Sequence, residues 1–324
     1  MLFNALCKLS KEKYMTKIII DCDPGVDDAI AILLALASPE IKVLGITTVA
    51  GNVELDKVHE NARNILSFVS RPDIPLARGC ERPLIARRGS KTQVHGNNGL
   101  AGVTLPKSNY TYPDIHAVDF IIDTVMSNPK EVTLCPTAPL TNIAMAMLKE
   151  PRLKDNVKDI VLMGGAAFCN GNITPAAEFN FYVDPHAAHI VFDTAEHITM
   201  LGLDVTHKAD IRAGLCQSLD QGNVIAKTAA KMARGYATFD PFLHDPCVIG
   251  YLIRPDIFTG INGHIDIEYE SRKLFGLSFA TVHDDSRSTK NNSNLNECRI
   301  NTMIITDVQS DKLMSLISER ILSL

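Results

Sequence analysis

Residues 17–37 read KIIIDCDPGVDDAIAILLALA. Lys17–Cys22 is apolar and rich in β-branched side chains, as a strand buried on both faces requires. Val26–Ala37 is apolar with two acids at its opening and is closed by Ser38–Pro39, which predicts a helix. Pro24 and Gly25 supply the tight turn between them. The same alternation continues along the chain. Val43–Val49 is the next strand and Leu55–Val69 the next helix. Strands at Val132–Cys135, Ile160–Met163 and Ile198–Leu203 alternate with helices at Ala117–Met126, Leu140–Leu148 and Pro185–Thr194, and Ile300–Ile305 is the last strand. This βαβα order predicts an α/β fold, a mostly parallel sheet with helices on both faces.

Composition narrows the function. The 324 residues carry 37 acids against 32 Lys and Arg, a formal charge of −5, so no basic excess exists to hold a nucleic-acid backbone. The longest uninterrupted apolar run, Ala29–Ala37, is too short to span a bilayer. The eight cysteines include no CxxC pair and read as reduced thiols of a cytoplasmic protein. Tryptophan is absent, which excludes any ligand site that stacks on an indole. Residues 1–14 read as a disordered leader, with Met15 directly before the first strand, and residues 15–324 as one domain. Arg82–Gly102 reads as a long mobile loop of the kind that forms lids, and Asp284–Asn296 as a polar surface loop.

The chemistry concentrates in Asp21-Cys22-Asp23-Pro24-Gly25-Val26-Asp27-Asp28. Acids are about a ninth of the chain, yet four of these eight residues are Asp. They lie at the carboxyl end of a buried strand, where open α/β sheets place their ligands. Helix capping explains Asp27 and Asp28 but not Asp21 and Asp23. Four clustered carboxylates repel one another unless a cation joins them, and a hard divalent ion suits oxygen ligands. An EF-hand is excluded, since its sixth and twelfth positions would be Val26 and Ile32 rather than Gly and Glu.

Polar turns follow the later strands: Thr47–Asn52 (TTVAGN), Pro136–Asn142 (PTAPLTN), Gly164–Gly165 and Leu203–His207 (LDVTH). A parallel sheet brings these ends to one edge, which favours a single domain. Gly171-Asn172 and Glu178-Phe179-Asn180 offer a carboxylate and two carboxamides suited to hydroxyl-rich ligands. His244-Asp245-Pro246 places an imidazole beside a carboxylate, with Pro246 biasing Asp245 toward extended backbone.

In this order and spacing, DCDPGVDD, ITTVAGN, PTAPLTNIA, VLMGG, GN followed by AEFN, and HDPC resemble the inosine–uridine preferring nucleoside hydrolases, from Met15 to the C-terminus. The resemblance implies hydrolysis of the N-glycosidic bond of ribonucleosides to ribose and free base, with Ca²⁺ as cofactor and a homodimer or homotetramer as the assembly. It implies that Asp23, Asp28, Asp245 and the Thr137 carbonyl hold Ca²⁺, and that Asp23 is also the general base for a metal-bound water. Asp27, Asn52, Asn172, Glu178 and Asn180 would bind the ribose, with Met163 nearby. His244 would protonate the leaving base, His95 and Phe179 would line its pocket, and Asp21 would orient its neighbours without touching the metal.

Two features bear on the base. Tyr236, eight residues before His244, resembles the pyrimidine-preferring members, although Met232 does not match the polar residue they carry one turn earlier. The purine-specific members stack the base between indoles, and this chain has none. Ala138 stands where the family usually has Gly, which is compatible with the turn only if its φ is negative. Two other readings compete. In a Mg²⁺-dependent phosphatase of the haloacid-dehalogenase type, Asp21 would be the nucleophile. In a non-catalytic protein, the same site would bind Ca²⁺ with a nucleoside or ribose and leave it intact.

Overall fold

Ile18 and Ile20 point into the apolar layer on one face of the sheet and Ile19 into the layer on the other, so the first strand is buried on both sides. The computed structural model describes residues 15–85, 94–282 and 299–324. Among these the strands are β1 Thr16–Cys22, β2 Ile41–Thr48, β3 Leu76–Arg78, β4 Val132–Pro136, β5 Asp159–Met163, β6 Ile198–Leu201, β7 Phe258–Ile267, β8 Ser278–Val282 and β9 Thr302–Val308. They form one sheet in the order β3-β2-β1-β4-β5-β6-β9-β7-β8. Pairing is parallel from β3 through β9, while β7 runs antiparallel to both β9 and β8.

The chain winds outward from β1 in two directions, through β2 and β3 on one side and through β4, β5 and β6 on the other. The carboxyl ends of β1 and β4 are therefore the topological switch point, where a crevice opens between diverging connections. One face is covered by helices Val26–Ala37, Val224–Tyr236, Pro246–Ile253 and Ser310–Leu322, the other by Ala117–Ser127, Thr141–Lys149 and Pro185–Thr194. The expected single α/β domain with helices on both faces is the observed one.

Several boundaries differ from the sequence reading. The strand expected over Ile198–Leu203 stops at Leu201, because Gly202 turns the chain into a short helix, Leu203–Thr206. The last strand starts at Thr302 and runs on to Val308. The expected leader at 1–14 and the loop at 284–296 lie outside the described residues, as do residues 86–93. Within the expected loop, Arg82 and Ile85 are exposed, whereas His95 and Leu100 are buried and Asn61 Nδ2 donates both to the Asn98 carbonyl (2.9 Å) and to the Pro24 carbonyl (3.0 Å). That amide ties the segment to the acidic turn.

Candidate active site

The acidic turn is built by the register of β1. Asp21, two residues after Ile19 on β1, shares its face. Its Oδ1 accepts from Thr47 Oγ1 (2.5 Å) and Asn142 Nδ2 (2.7 Å), and burial raises its pKa to about 7 against the pull of those bonds. Asn142 Nδ2 also donates to the Thr48 carbonyl, so Asp21 clamps the ends of β1, β2 and the helix after β4. Fully buried and held in this way, Asp21 has no open approach for a phosphoryl group, and the phosphatase reading fails on that geometry.

Beyond Cys22 the chain presents Asp23, Asp27 and Asp28, and Asp245 joins them from the start of the helix Pro246–Ile253. Carboxylate oxygens of Asp27, Asp28 and Asp245 lie within 4.8 Å of one another. Asp28 Oδ2 accepts from the Gly25 amide (2.9 Å), and its Oδ1 from Thr137 Oγ1 (2.9 Å). Asp23 Oδ2 accepts from the Asn52 amide. Asp23 Oδ1 and Asp27 Oδ1 are buried with no hydrogen-bond partner. Burial and the charge of Asp28 push the Asp23 pKa well above the carboxylate range; burial and the charge of Asp27 raise Asp28 to about 6. Burial, Asp27 and Asp28 likewise raise Asp245. Buried, mutually repelling carboxylates with unpaired oxygens are the donor set a divalent cation satisfies.

One expectation about the site changes, and one condition set by the sequence is met. Asp245 adopts helical backbone (φ −65°, ψ −36°), not extended. Its carbonyl accepts from Val248 N (3.0 Å) while His244 O accepts from Cys247 N (3.1 Å), and these bonds outweigh the pre-proline preference. Ala138 does not have positive φ, so its methyl group leaves the Thr137 turn undisturbed. The Thr137 carbonyl accepts from Asn180 Nδ2 (3.0 Å), which leaves one lone pair of that oxygen for a further ligand.

A pocket opens beside this cluster, reaching Asp27 and Asp245 but not Asp23 or Asp28. It is lined by twelve of the residues singled out from sequence: Asp27, Asn52, His95, Thr137, Met163, Asn172, Glu178, Phe179, Asn180, Tyr236, His244 and Asp245. Glu178 caps the short helix Phe179–Val183 and accepts from the amides of Gly165, Asn180 and Phe181. Burial raises its pKa against these bonds. Asn172 Oδ1 accepts from Phe179 N (2.9 Å), joining the GN and AEFN segments. Asn180 Nδ2 also reaches the Met163 carbonyl (3.3 Å).

His95 and Tyr236 stack with ring centroids 5.2 Å apart, and His95 Nδ1 accepts from the Val26 amide (3.2 Å). Burial lowers the His95 pKa to about 4, so this ring is neutral. His244 is buried between two partners: Nδ1 meets Thr206 Oγ1 (2.7 Å) and Nε2 meets Asp240 Oδ2 (3.1 Å). Burial opposes its charge, but Asp240, Asp27 and Glu178 outweigh that and raise its pKa above the ordinary value.

Asp240 and Val94 line the pocket, and neither was identified from sequence. The only sequence signal for Asp240 is its i,i+4 spacing to His244. Gly51 was read only as part of a turn, yet a Cβ there would run into Asp23 Oδ2. Gly51→Ala is therefore expected to push that carboxylate aside and lower kcat by about 100-fold, the cost of a displacement on the order of 1 Å. A steady-state assay checks this, and a wild-type kcat would show that Asp23 tolerates the shift.

Fold and site together define a nucleoside hydrolase. The chain belongs to the inosine-uridine preferring nucleoside hydrolase family, whose description its sequence matches over residues 18–315, and it is an enzyme that hydrolyses ribonucleosides. It is 42% identical over 275 residues to the inosine-uridine preferring nucleoside hydrolase of Leishmania major, covering 81% of this chain and 86% of that one. It is 41% identical over 314 residues to a pyrimidine-specific ribonucleoside hydrolase of Photobacterium profundum, covering 94% and 98%. A solved plant nucleoside hydrolase superposes with a TM-score of 0.88 at 31% identity, covering 95% of this chain and 99% of that one.

Proposed function

We propose that the enzyme releases free base and ribose from ribonucleosides with a Ca²⁺ ion held by Asp23, Asp28, Asp245 and the Thr137 carbonyl. The observation that supports this is the convergence of carboxylate oxygens of Asp27, Asp28 and Asp245 within 4.8 Å, a group that includes Asp27 rather than Asp23, together with the buried, unpaired Asp23 Oδ1 and Asp27 Oδ1. Bound there, the cation supplies Lewis-acid polarisation of the ribose diol and of the attacking water. Asp27, Asn52, Asn172, Glu178 and Asn180 line the pocket as hydroxyl partners and place the ribose over the acids. Asp23 accepts the proton that water loses as it attacks C1′. The surrounding carboxylates stabilise the positive charge that builds on the ribosyl ring as the C–N bond opens. His244 gives a proton to the departing base.

We assign the base end of the pocket to His95, Phe179, Tyr236 and His244, with pyrimidine nucleosides preferred over inosine. Tyr236 on the pocket wall and the absence of tryptophan support that preference. The described cysteines are free thiols, which suits a reducing cytoplasmic location, and among the described residues no helix is long and apolar enough to cross a membrane. A homodimer or homotetramer remains part of the proposal.

The test is kcat/KM on uridine, cytidine, inosine, adenosine and guanosine, before and after EGTA treatment. Uridine and cytidine are expected to lead, EGTA to remove turnover on every substrate, and Ca²⁺ to restore it. Full activity after complete removal of divalent cations would overturn the metal assignment, and a purine preference would overturn the assignment of the base.

A further inference from the structure

Asp240 has no part in the metal cluster or among the ribose partners, yet it lines the same pocket and its side chain is 21% exposed there. Its carboxylate is held from two sides. Oδ1 accepts from the Phe242 amide (3.0 Å), and Oδ2 meets His244 Nε2 (3.1 Å). The segment that carries it is anchored in turn, since Ile211 N donates to the Pro241 carbonyl and Leu243 N to the Ala209 carbonyl (both 2.9 Å). The opposite edge of the imidazole is fixed by Thr206 Oγ1 on the short helix Leu203–Thr206. The His207 ring packs edge-on at 5.7 Å. Both ring nitrogens of His244 are thus pinned by different elements. With Nδ1 on Thr206 and Nε2 donating to the Asp240 carboxylate, the proton is held on Nε2, at the pocket wall that Asp240 lines, and a nucleobase takes it in exchange for Asp240.

We infer that Asp240 is a positioning residue: by accepting from His244 Nε2 it keeps the acidic proton on that nitrogen and the ring fixed at the pocket wall until the departing base takes the proton. This rests on the reading of His244 as that acid. In the step it serves, the C1′–N bond breaks and its electron pair leaves with the base. The Nε2 proton of His244 leaves its hydrogen bond to Asp240 and passes to that base, the water oxygen bonds to C1′, and the water's proton passes to Asp23. Exchange with solvent returns a proton to His244. Misaiming the donor slows only departures that need a proton.

The test compares Asp240→Ala and Asp240→Asn with the wild-type enzyme on uridine and inosine, and on p-nitrophenyl riboside, whose nitrophenolate leaves without a proton. Asp240→Ala is expected to lower kcat on the nucleosides by about 10- to 100-fold with little change in KM. It should leave kcat on the nitrophenyl riboside within about twofold. Asp240→Asn keeps an acceptor oxygen and should lose less. In the His244→Ala background, Asp240→Ala should cost nothing further, because both changes disable one proton transfer. An equal loss on the nitrophenyl riboside, a raised KM at unchanged kcat, or an additive loss in the double variant would each overturn the proposal. If Asp240→Ala fails to fold, Asp240→Asn decides by the same comparison. A wild-type enzyme that released neither base nor nitrophenol would instead reject the hydrolase reading, before any variant is compared.

Discussion

Replacing Asp23 by alanine is expected to lower base release by roughly 10⁴-fold, the upper range for removal of a general base. Two losses combine at this position. The proton acceptor for the attacking water disappears, and so does one of the carboxylates proposed to hold the cation. The structure makes the position sensitive because Asp23 is buried and oriented by the Asn52 amide, so a water admitted into its place would not reproduce an aimed carboxylate. Neighbours do not compensate. Asp27 and Asp28 sit in the first turn of the following helix, and Asp28 is already committed to the Gly25 amide and Thr137 Oγ1. Measured kcat on uridine and inosine, with metal content after dialysis, checks both losses. A variant that kept near wild-type kcat would remove Asp23 from the chemistry.

His244→Ala carries the second largest expected effect, about 100- to 1,000-fold on kcat for uridine and inosine, within the range for a general acid. The loss should depend on the leaving group. A heterocyclic base departing as an anion is costly, and a proton from an imidazole held by Thr206 and Asp240 relieves that cost. An activated nitrophenyl riboside departs without this help and should be cleaved at close to the wild-type rate. Equal losses on both kinds of substrate would place His244 in support of Asp245, its chain neighbour in the metal cluster, rather than in proton transfer.

The ribose and metal side of the site was legible in the sequence because it is carried by local segments. DCDPGVDD, TTVAGN, PTAPLTN and GN with AEFN each sit directly after or beside a strand, and a parallel sheet collects strand ends at one edge. Seven residues of these segments, Asp27, Asn52, Thr137, Asn172, Glu178, Phe179 and Asn180, line one pocket. What the sequence hid is tertiary. His95 was named from the sequence, but what holds it at the site was not: Asn61 pins its segment and its ring stacks on Tyr236. Asp240 stands as a lone acid between Phe239 and Pro241, and only the fold shows that it meets His244. The antiparallel strands β7 and β8 were also missed. Phe258–Ile267 is half exposed and interrupted by Gly260 and Gly263, so it lacks the continuous apolar signature of a buried parallel strand. β3 has only three residues, too few to show any period.

The hydrolase claim meets its most direct test when purified protein with Ca²⁺ is incubated with uridine in buffer free of phosphate, and free base and reducing sugar are quantified together. Uracil and ribose appearing in equal amounts, with no phosphate required, is the predicted result, since water supplies the oxygen that replaces the base at C1′. Uridine recovered intact while bound to the protein would contradict the assignment and leave a binding protein in its place.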